Sequence, residues 1–533
     1  MARSLMFVGT ASNVGKSVIC TAMCRILHRD GHRVAPFKSQ NMSLNSAVTP
    51  SGREIGRAQA VQAEACGILP NEHMNPVLLK PIGGSRSQVI VQGRVHDTRS
   101  ARDYFFDRKE EIWEAVLESY RFLAQRYDVI VIEGAGSPVE MNLKSQEIAN
   151  MRTAEMADAS VILVADIDRG GVFASVVGTL QLLEPHERAR VKGVIVNKFR
   201  GDPGLFEEGR RMLGEYAGVP VLGVIPYIRD LGIDEEDSVG LAAERYRGSS
   251  RSVADQDLSM DRRVDDHTND RTHDRTNGPA GADFLRIAIV DVPHIANFTD
   301  FDPLFLEPCV QAYFCRKPED MRGADAVILP GTKSTMGDLE WLWTGGWAAV
   351  LREAQACGVW LFGICGGYQM LGARVCDPYL QESDAAVEYP GLGLLDGVTT
   401  LFPEKVTVLV DGELSEDFLG IAVHGYEIHM GRTVHGDARR PFAQTRSLSA
   451  EGGQMEGAVS ADGRTIGTYL HGIFHNDVFR TAWLNRIRSE RGLPEQEVSV
   501  RVQETRDAAY DRLETVMREH LDPEYIYRQC LRQ

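Results

Sequence analysis

SLMFVGTASNVGKSVICTAMCRILHR, residues 4–29, runs from a short apolar stretch through a glycine-framed turn into a segment with helical periodicity. Strand, glycine loop, Lys-Ser and helix in that order are the parts of a phosphate-binding loop. The frame is G-x5-G-K-S counted from Gly9, and it becomes G-x4-G-K-S only if Thr10 stands in for the first glycine. In such a loop the backbone N–H groups and the helix N-terminus cradle phosphate oxygens, Lys16 reaches the β- and γ-phosphates, and Ser17 can ligate Mg²⁺. Gly9, Thr10, Asn13, Gly15, Lys16 and Ser17 are the expected nucleotide-binding residues. A glycine-rich turn with no ligand is the plainer reading, and the coincidence of all four features argues against it. Cys20 and Cys24, one helical turn apart, read as core packing.

Working outward, apolar runs at 4–8, 129–132, 160–165 and 193–196 each end in a Gly- or Asp-containing turn. Helical periodicity fills the gaps, as at 18–29 and 109–125. Buried parallel strands joined by helical crossovers give this pattern, so the first part reads as a doubly wound α/β domain over 1–246. From 247 to 283 the text turns to Asp, Arg, Thr, Ser and Asn with almost no apolar content, the composition of a flexible linker or insertion. A second alternating pattern follows, with expected strands at 285–290, 326–329, 359–364 and 465–469. A helix is expected at 504–520, with Asp522-Pro523 as its stop. The second domain is read as 284–533, again α/β and doubly wound.

Composition sets the limits. The 533 residues are 43% hydrophobic and 25% charged, and 58 basic against 75 acidic side chains leave a net charge of −17. This is the profile of a globular protein with several domains. The negative charge disfavours nucleic acid and anionic membrane surfaces as partners. Nine cysteines, an odd number with no C-x-x-C pair, argue against a disulfide framework or a structural zinc site. With no signal-peptide core and no run of apolar residues long enough to span a bilayer, the expected location is the cytoplasm.

Two further strand ends belong to the nucleotide site. YDVIVIEGAGS, residues 127–137, closes a strand with Glu133, placed to serve as a direct or second-sphere Mg²⁺ ligand. A solvated strand-end acid is the alternative. Asn197 ends another strand, where its amide could read an adenine edge. Asp166 and Asp168 could approach the metal or cap a helix.

The second domain carries its own chemistry. LFGICGGYQ, residues 361–369, sets Cys365 between glycines directly after a buried strand. A small-residue strand-to-helix turn of this kind exposes a nucleophile beside backbone N–H groups that can hold an oxyanion. Gly366 at the helix start and Gly331 in the strand-end turn LPGTKST, residues 329–335, are the expected oxyanion donors. His471 in TYLHGIF, residues 468–474, is the expected base. His424, His429 and His475 compete with it.

Taken together these motifs resemble the cobyric acid synthase family, glutamine-dependent amidases of cobalamin biosynthesis. GTASNVGKS and IEGAGS look like its dethiobiotin-synthetase-like ATP-binding domain. KSQNMS (38–43) and MNPVLLKP (74–81) look characteristic of the family. GICGGYQ, HGYEIHMGRT (424–433) and TYLHGIFHND (468–477) resemble a class I glutamine amidotransferase domain. The resemblance covers nearly the whole chain, with 247–283 as the main departure.

That resemblance implies a reaction. Glutamine would be hydrolysed at Cys365 through a γ-glutamyl thioester, with His471 as general base and then acid. ATP and Mg²⁺, with no tightly bound prosthetic group, would convert a corrinoid carboxylate to an acyl phosphate, which ammonia turns into an amide. The corrinoid and L-glutamine are the implied partners, and four peripheral carboxylates of adenosylcobyrinic acid a,c-diamide the implied targets; the oligomeric state is left open. Two competitors stand beside this reading: cobyrinic acid a,c-diamide synthase, and a regulatory P-loop ATPase with a degenerate amidotransferase domain. Many class I members carry H-x-E, but Ile473 occupies that position here, as in the family resembled, so what orients His471 is open.

Overall fold

The computed structural model describes residues 2–83, 86–100, 109–144, 147–229, 231–233, 283–436, 440–448 and 452–531. The expected linker at 247–283 lies outside the described residues apart from Asp283.

Six parallel strands form the first sheet, in the order Val221–Pro226, Val191–Phe199, Ser160–Asp166, Arg3–Gly9, Val129–Glu133 and Val34–Phe37. Leu5, Met6, Phe7 and Val8 are all fully buried because both sheet faces are covered, which is why the run is apolar without alternation. Helix Lys16–Arg29 lies on one face and buries Ile19, Cys20, Met23 and Cys24. The register places Phe7 beside Glu133 and Asp166 beside Asn197, so the expected site residues gather at the carboxyl ends of adjacent strands. A smaller sheet, Gln40–Met42, Val77–Gly83, Arg86–Val91 and Arg94–Ser100, flanks this domain.

The second sheet runs Val310–Cys315, Leu285–Val290, Ala326–Leu329, Trp360–Ile364 and Thr465–Thr468 in parallel, with Ala458–Val459 antiparallel at its edge. The sequence did not announce the long antiparallel pair Val398–Leu414 and Ala422–Val434. Many of its residues are partly exposed, so it lacks a continuous apolar run. This pair carries Tyr426 and Ile428 to the cysteine turn.

Helix Val502–His520 follows the second domain in sequence yet packs on the first. Its Ala509, Tyr510, Leu513 and Met517 share one core with Leu5, Phe7 and Ile26. Arg25 pairs with Asp511 across this contact at 2.6 Å. Asp522, expected as a stop, caps a further short helix, Pro523–Ile526, by accepting from Tyr525 N. Among the described residues no helix is long and apolar enough to cross a membrane.

Candidate active sites

The phosphate loop is built by close backbone approaches. A Cβ on Gly9 would lie 2.8 Å from Ala11 O, Lys16 Nζ and Val14 Cγ2, so the lysine can fold over the loop only above a glycine. Gly15 has φ 97°, and a Cβ there would collide with the Asn197 amide. Lys16 Nζ donates to the carbonyls of Ala11 and Gly136 at 3.1 Å each, spanning the space where phosphate oxygens would lie. Thr10 N donates to Val164 O.

The structure brings Ser17 and Glu133 together. Ser17 Oγ donates to Glu133 Oε1 at 2.8 Å. Lys38 Nζ donates to the same oxygen at 2.9 Å, and Gln62 Nε2 donates to Oε2 at 2.6 Å. Burial alone would raise the Glu133 pKa, but the Lys38 charge and these three donors hold it below the usual value, so it is a carboxylate at neutral pH. Lys38 and Gln62 were not singled out for this site, although Lys38 opens the KSQNMS segment. Asn197 Nδ2 donates to Val14 O at 2.8 Å, so its amide nitrogen braces the phosphate loop. Asp166 accepts from Asp168 N and pairs with Lys198 at 3.0 Å, while Asp168 pairs with Arg200 at 2.7 Å.

Cys365 sits at the junction of strand Trp360–Ile364 and helix Gly366–Leu371 with φ 52° and ψ −108°. A non-glycine residue held there stores on the order of 1–3 kcal/mol of backbone strain, maintained by the packed elements on either side. The neighbouring glycines make the turn possible: a Cβ on Gly367 would collide with Leu329 O, and one on Gly366 with Thr332. As the first residue of its helix, Gly366 has an N–H without an intrahelical acceptor. Gly331 lies between nucleophile and base, where a Cβ would be 3.0 Å from His471 Cε1 and 3.8 Å from Cys365 Cβ. The Cys365 thiol reaches Ile428 O at 3.5 Å.

His471 is 1% exposed. Its Nδ1 donates to Asp300 Oδ2 at 2.6 Å, and Asp300 Oδ1 accepts from Gly472 N at 2.9 Å. Nε2 lies 3.4 Å from Asn297 Nδ2. Burial would lower the imidazole pKa, but the Asp300 charge and hydrogen bond, with a contribution from Cys365, overcome it and raise the value to about 10. Asp300 thus presents a carboxylate to Nδ1, while Ile473, at the H-x-E position, is fully buried as core. Sequence reading missed Asp300 because it lies 171 residues from His471. The only local signal was an acid set among aromatics in ANFTDFDP, residues 296–303. Of the competing histidines, His424 pairs with Asp411, His429 stacks on Tyr469 with Nδ1 at Gly431 O, and His475 contacts Arg506.

A cavity of about 60 Å³ opens at the cysteine, its wall joining Cys365, His471 and Gly331 to Lys333 and Lys405 and to Lys80 of the first domain. Lys80 Nζ donates to Glu54 Oε1 at 2.8 Å, and the other Glu54 oxygen pairs with Lys405. Ser46 N donates to Asn297 Oδ1 at 2.9 Å. The first domain thus forms part of the second domain's site.

Residues 5–239 match the CobQ/CobB/MinD/ParA nucleotide binding domain, and residues 286–479 match the CobB/CobQ-like glutamine amidotransferase domain. The chain is 45% identical to a cobyric acid synthase of Salmonella agona (strain SL483) over 535 residues, covering 99% of this chain and 98% of that protein. It is 44% identical to a cobyric acid synthase of Dehalococcoides mccartyi (strain CBDB1) over 533 residues, with the same coverage. A P-loop domain, a Cys–His–Asp site and this identity across both halves lead to one assignment: the chain belongs to the cobyric acid synthase family.

Proposed function

We propose that the chain amidates peripheral carboxylates of adenosylcobyrinic acid a,c-diamide, using ATP at the first domain and ammonia released from glutamine at the second. The observation that carries this reading is the Cys365–His471–Asp300 arrangement beside a cavity whose wall includes Lys80 of the nucleotide domain.

At the second site the Cys365 sulfur attacks the glutamine side-chain carbonyl. His471, raised to about 10 and so already an imidazolium at neutral pH that Asp300 stabilises through Nδ1, pairs with the sulfur as a thiolate. The N–H groups of Gly366 and Gly331 face the developing oxyanion. The C–N bond breaks as His471 gives its proton to the leaving nitrogen, yielding ammonia and a thioester. Water activated by His471 then releases glutamate and regenerates the thiol.

At the first site Lys16 exchanges its two carbonyl acceptors for the β- and γ-phosphates, a charge-assisted contact that strengthens as charge shifts during transfer. The Ser17 hydroxyl and Glu133 carboxylate supply hard oxygens 2.8 Å apart, a donor set that fits Mg²⁺. When bound, that ion would neutralise phosphate charge. Lys38 holds the Glu133 carboxylate in place. Transfer of the γ-phosphoryl group to the corrinoid carboxylate creates the leaving group that ammonia displaces.

The test is Cys365→Ala assayed by product mass with two nitrogen sources. Incubation of the a,c-diamide with ATP, Mg²⁺ and glutamine should yield no amide, while high ammonium at raised pH should restore amidation. An unchanged corrinoid mass from the wild-type chain, or no rescue by ammonium, would overturn the reading.

A further inference from the structure

Strand Ala326–Leu329 ends in a turn that brings two residues to the cysteine pocket, Gly331 and, further along the same turn, Lys333. Hydrogen bonds hold this turn in place. Lys333 N donates to His294 O at 3.0 Å, and Thr332 Oγ1 donates to the same carbonyl at 3.2 Å. Asp338 accepts from His294 Nδ1 at 2.7 Å and also meets the Thr332 hydroxyl. That acid is fully buried on helix Thr335–Thr344. Gly331 and Lys333 therefore keep a fixed spacing, because packed and hydrogen-bonded groups leave the backbone between them little freedom.

Lys80, Lys333 and Lys405 all reach the pocket wall. Lys80 and Lys405 share the Glu54 carboxylate, one at each oxygen. Among the described residues Lys333 Nζ has no hydrogen-bond acceptor. Burial and the Lys80 charge hold its pKa below the usual lysine value, against the pull of Glu382, Glu54 and Cys365. Glu382 accepts from Met336 N at 2.8 Å, and burial pushes its carboxyl up to about 7. It is thus only partly ionised at neutral pH and offsets little of the positive charge. A desolvated ammonium in this setting is stabilised by an arriving anion, which supplies both the opposite charge and the missing acceptor.

We propose that Lys333 selects glutamine by its α-carboxylate, Nζ donating to that group while the side-chain carbonyl lies between Cys365 and the Gly331 N–H. Glutamine carries its carboxylate at one end and the reacting amide at the other, joined by a short saturated chain, and the turn offers one donor for each. The corrinoid also brings carboxylates to the reaction, but Lys333 shares its pocket with Cys365 and Gly331, the groups that act on the amide. Lys333 makes and breaks no bond. Its contact is the same in the ground and transition states, so it sets KM and leaves kcat alone. This rests on the glutamine hydrolysis proposed above and adds what separates glutamine from other primary amides.

The experiment uses the full chain, as wild type, Lys333→Met, Lys333→Gln and Lys333→Arg, with ATP, Mg²⁺ and the a,c-diamide present. Two amides are compared: L-glutamine, and γ-aminobutyramide, which keeps the amide and the amine but lacks the carboxylate. Release of glutamate or γ-aminobutyrate is measured alongside ammonium-supported amide formation. Lys333→Met keeps the length of the side chain and removes its charge. It should raise KM for glutamine ~10–150-fold, the span of one hydrogen bond to a charged group, with kcat nearly unchanged. Its kcat/KM for γ-aminobutyramide should match the wild type, and ammonium-supported synthesis should persist. Lys333→Arg should recover part of the glutamine KM. If Lys333→Met folds poorly, the neutral but polar Lys333→Gln gives the same comparison. Equal losses with both amides would mean that Lys333 acts on the thiol, and an unchanged glutamine KM that it holds no substrate; either overturns the proposal. Loss of ammonium-supported synthesis with glutamine hydrolysis intact overturns it too, by assigning the charge to the corrinoid. Absence of glutamate release by the wild-type chain instead overturns the two-site reaction.

Discussion

Replacing Asp300 with Asn keeps the shape of the buried carboxylate and removes its charge. His471 stands at about 10 against an ordinary 6.5. At 1.36 kcal/mol per tenfold change, that difference is about 5 kcal/mol in favour of the imidazolium, the net of Asp300 and Cys365 raising the value against burial, which lowers it. Removing one partner of a buried ion pair typically costs about 3–5 kcal/mol, which agrees. Loss of the acid from a comparable nucleophile–His–Asp triad lowers kcat by about 10⁴. Asp300→Asn should therefore reduce glutaminase kcat by ~10²–10⁴ and move its alkaline limb from near pH 10 toward neutrality. Stability follows the same sign. A pKa raised in the fold gives stabilisation that is complete below about pH 6.5 and lost as pH rises through about 10. The melting-temperature gap between wild type and Asp300→Asn should be widest in mild acid and narrow toward pH 10. The assays are glutamate release across pH, thermal unfolding across pH, and ammonium-supported amide formation, which should be spared. Glutaminase kcat within a few-fold of wild type, with an unmoved alkaline limb, would refute the assignment of Asp300.

Lys16→Ala should abolish amide formation from glutamine and from ammonium alike, by ~10²–10³ in rate, since a charged contact to the transferring phosphoryl group is lost; near-normal synthesis would remove the loop from the mechanism. Gly331→Ala places a methyl 3.0 Å from His471 Cε1 and should displace the ring. A shift near 1 Å costs ~10²-fold in glutaminase while leaving ammonium-supported synthesis intact, and an unaffected glutaminase would show that the ring is not confined there. Leu513→Ala, at a fully buried position of the C-terminal helix, should destabilise the nucleotide domain by about 2–5 kcal/mol in denaturant unfolding. A change under about 1 kcal/mol would mean the helix is not part of that core.

Local segments of sequence were enough for the two loops. The phosphate loop and the cysteine turn are each set by the backbone of fewer than ten consecutive residues, whose glycines mark where the chain must turn or approach a neighbour closely. Strand 285–290 and the helix after the loop were legible for the same reason, since burial on both faces or on one stripe leaves a periodic record. The partners of those loops were not legible. Asp300 meets His471, Lys38 and Gln62 meet Glu133, and Arg57 meets Tyr426 only because sheet order and domain docking bring distant segments together. Helix Val502–His520 likewise crosses back to the first domain although nothing in its own periodicity says which surface it covers. Backbone geometry and apolar periodicity act within a segment and are written there. The choice of which buried charge neutralises which is made by the packed fold, where an unpaired charge costs several kcal/mol and the partner can come from any part of the chain.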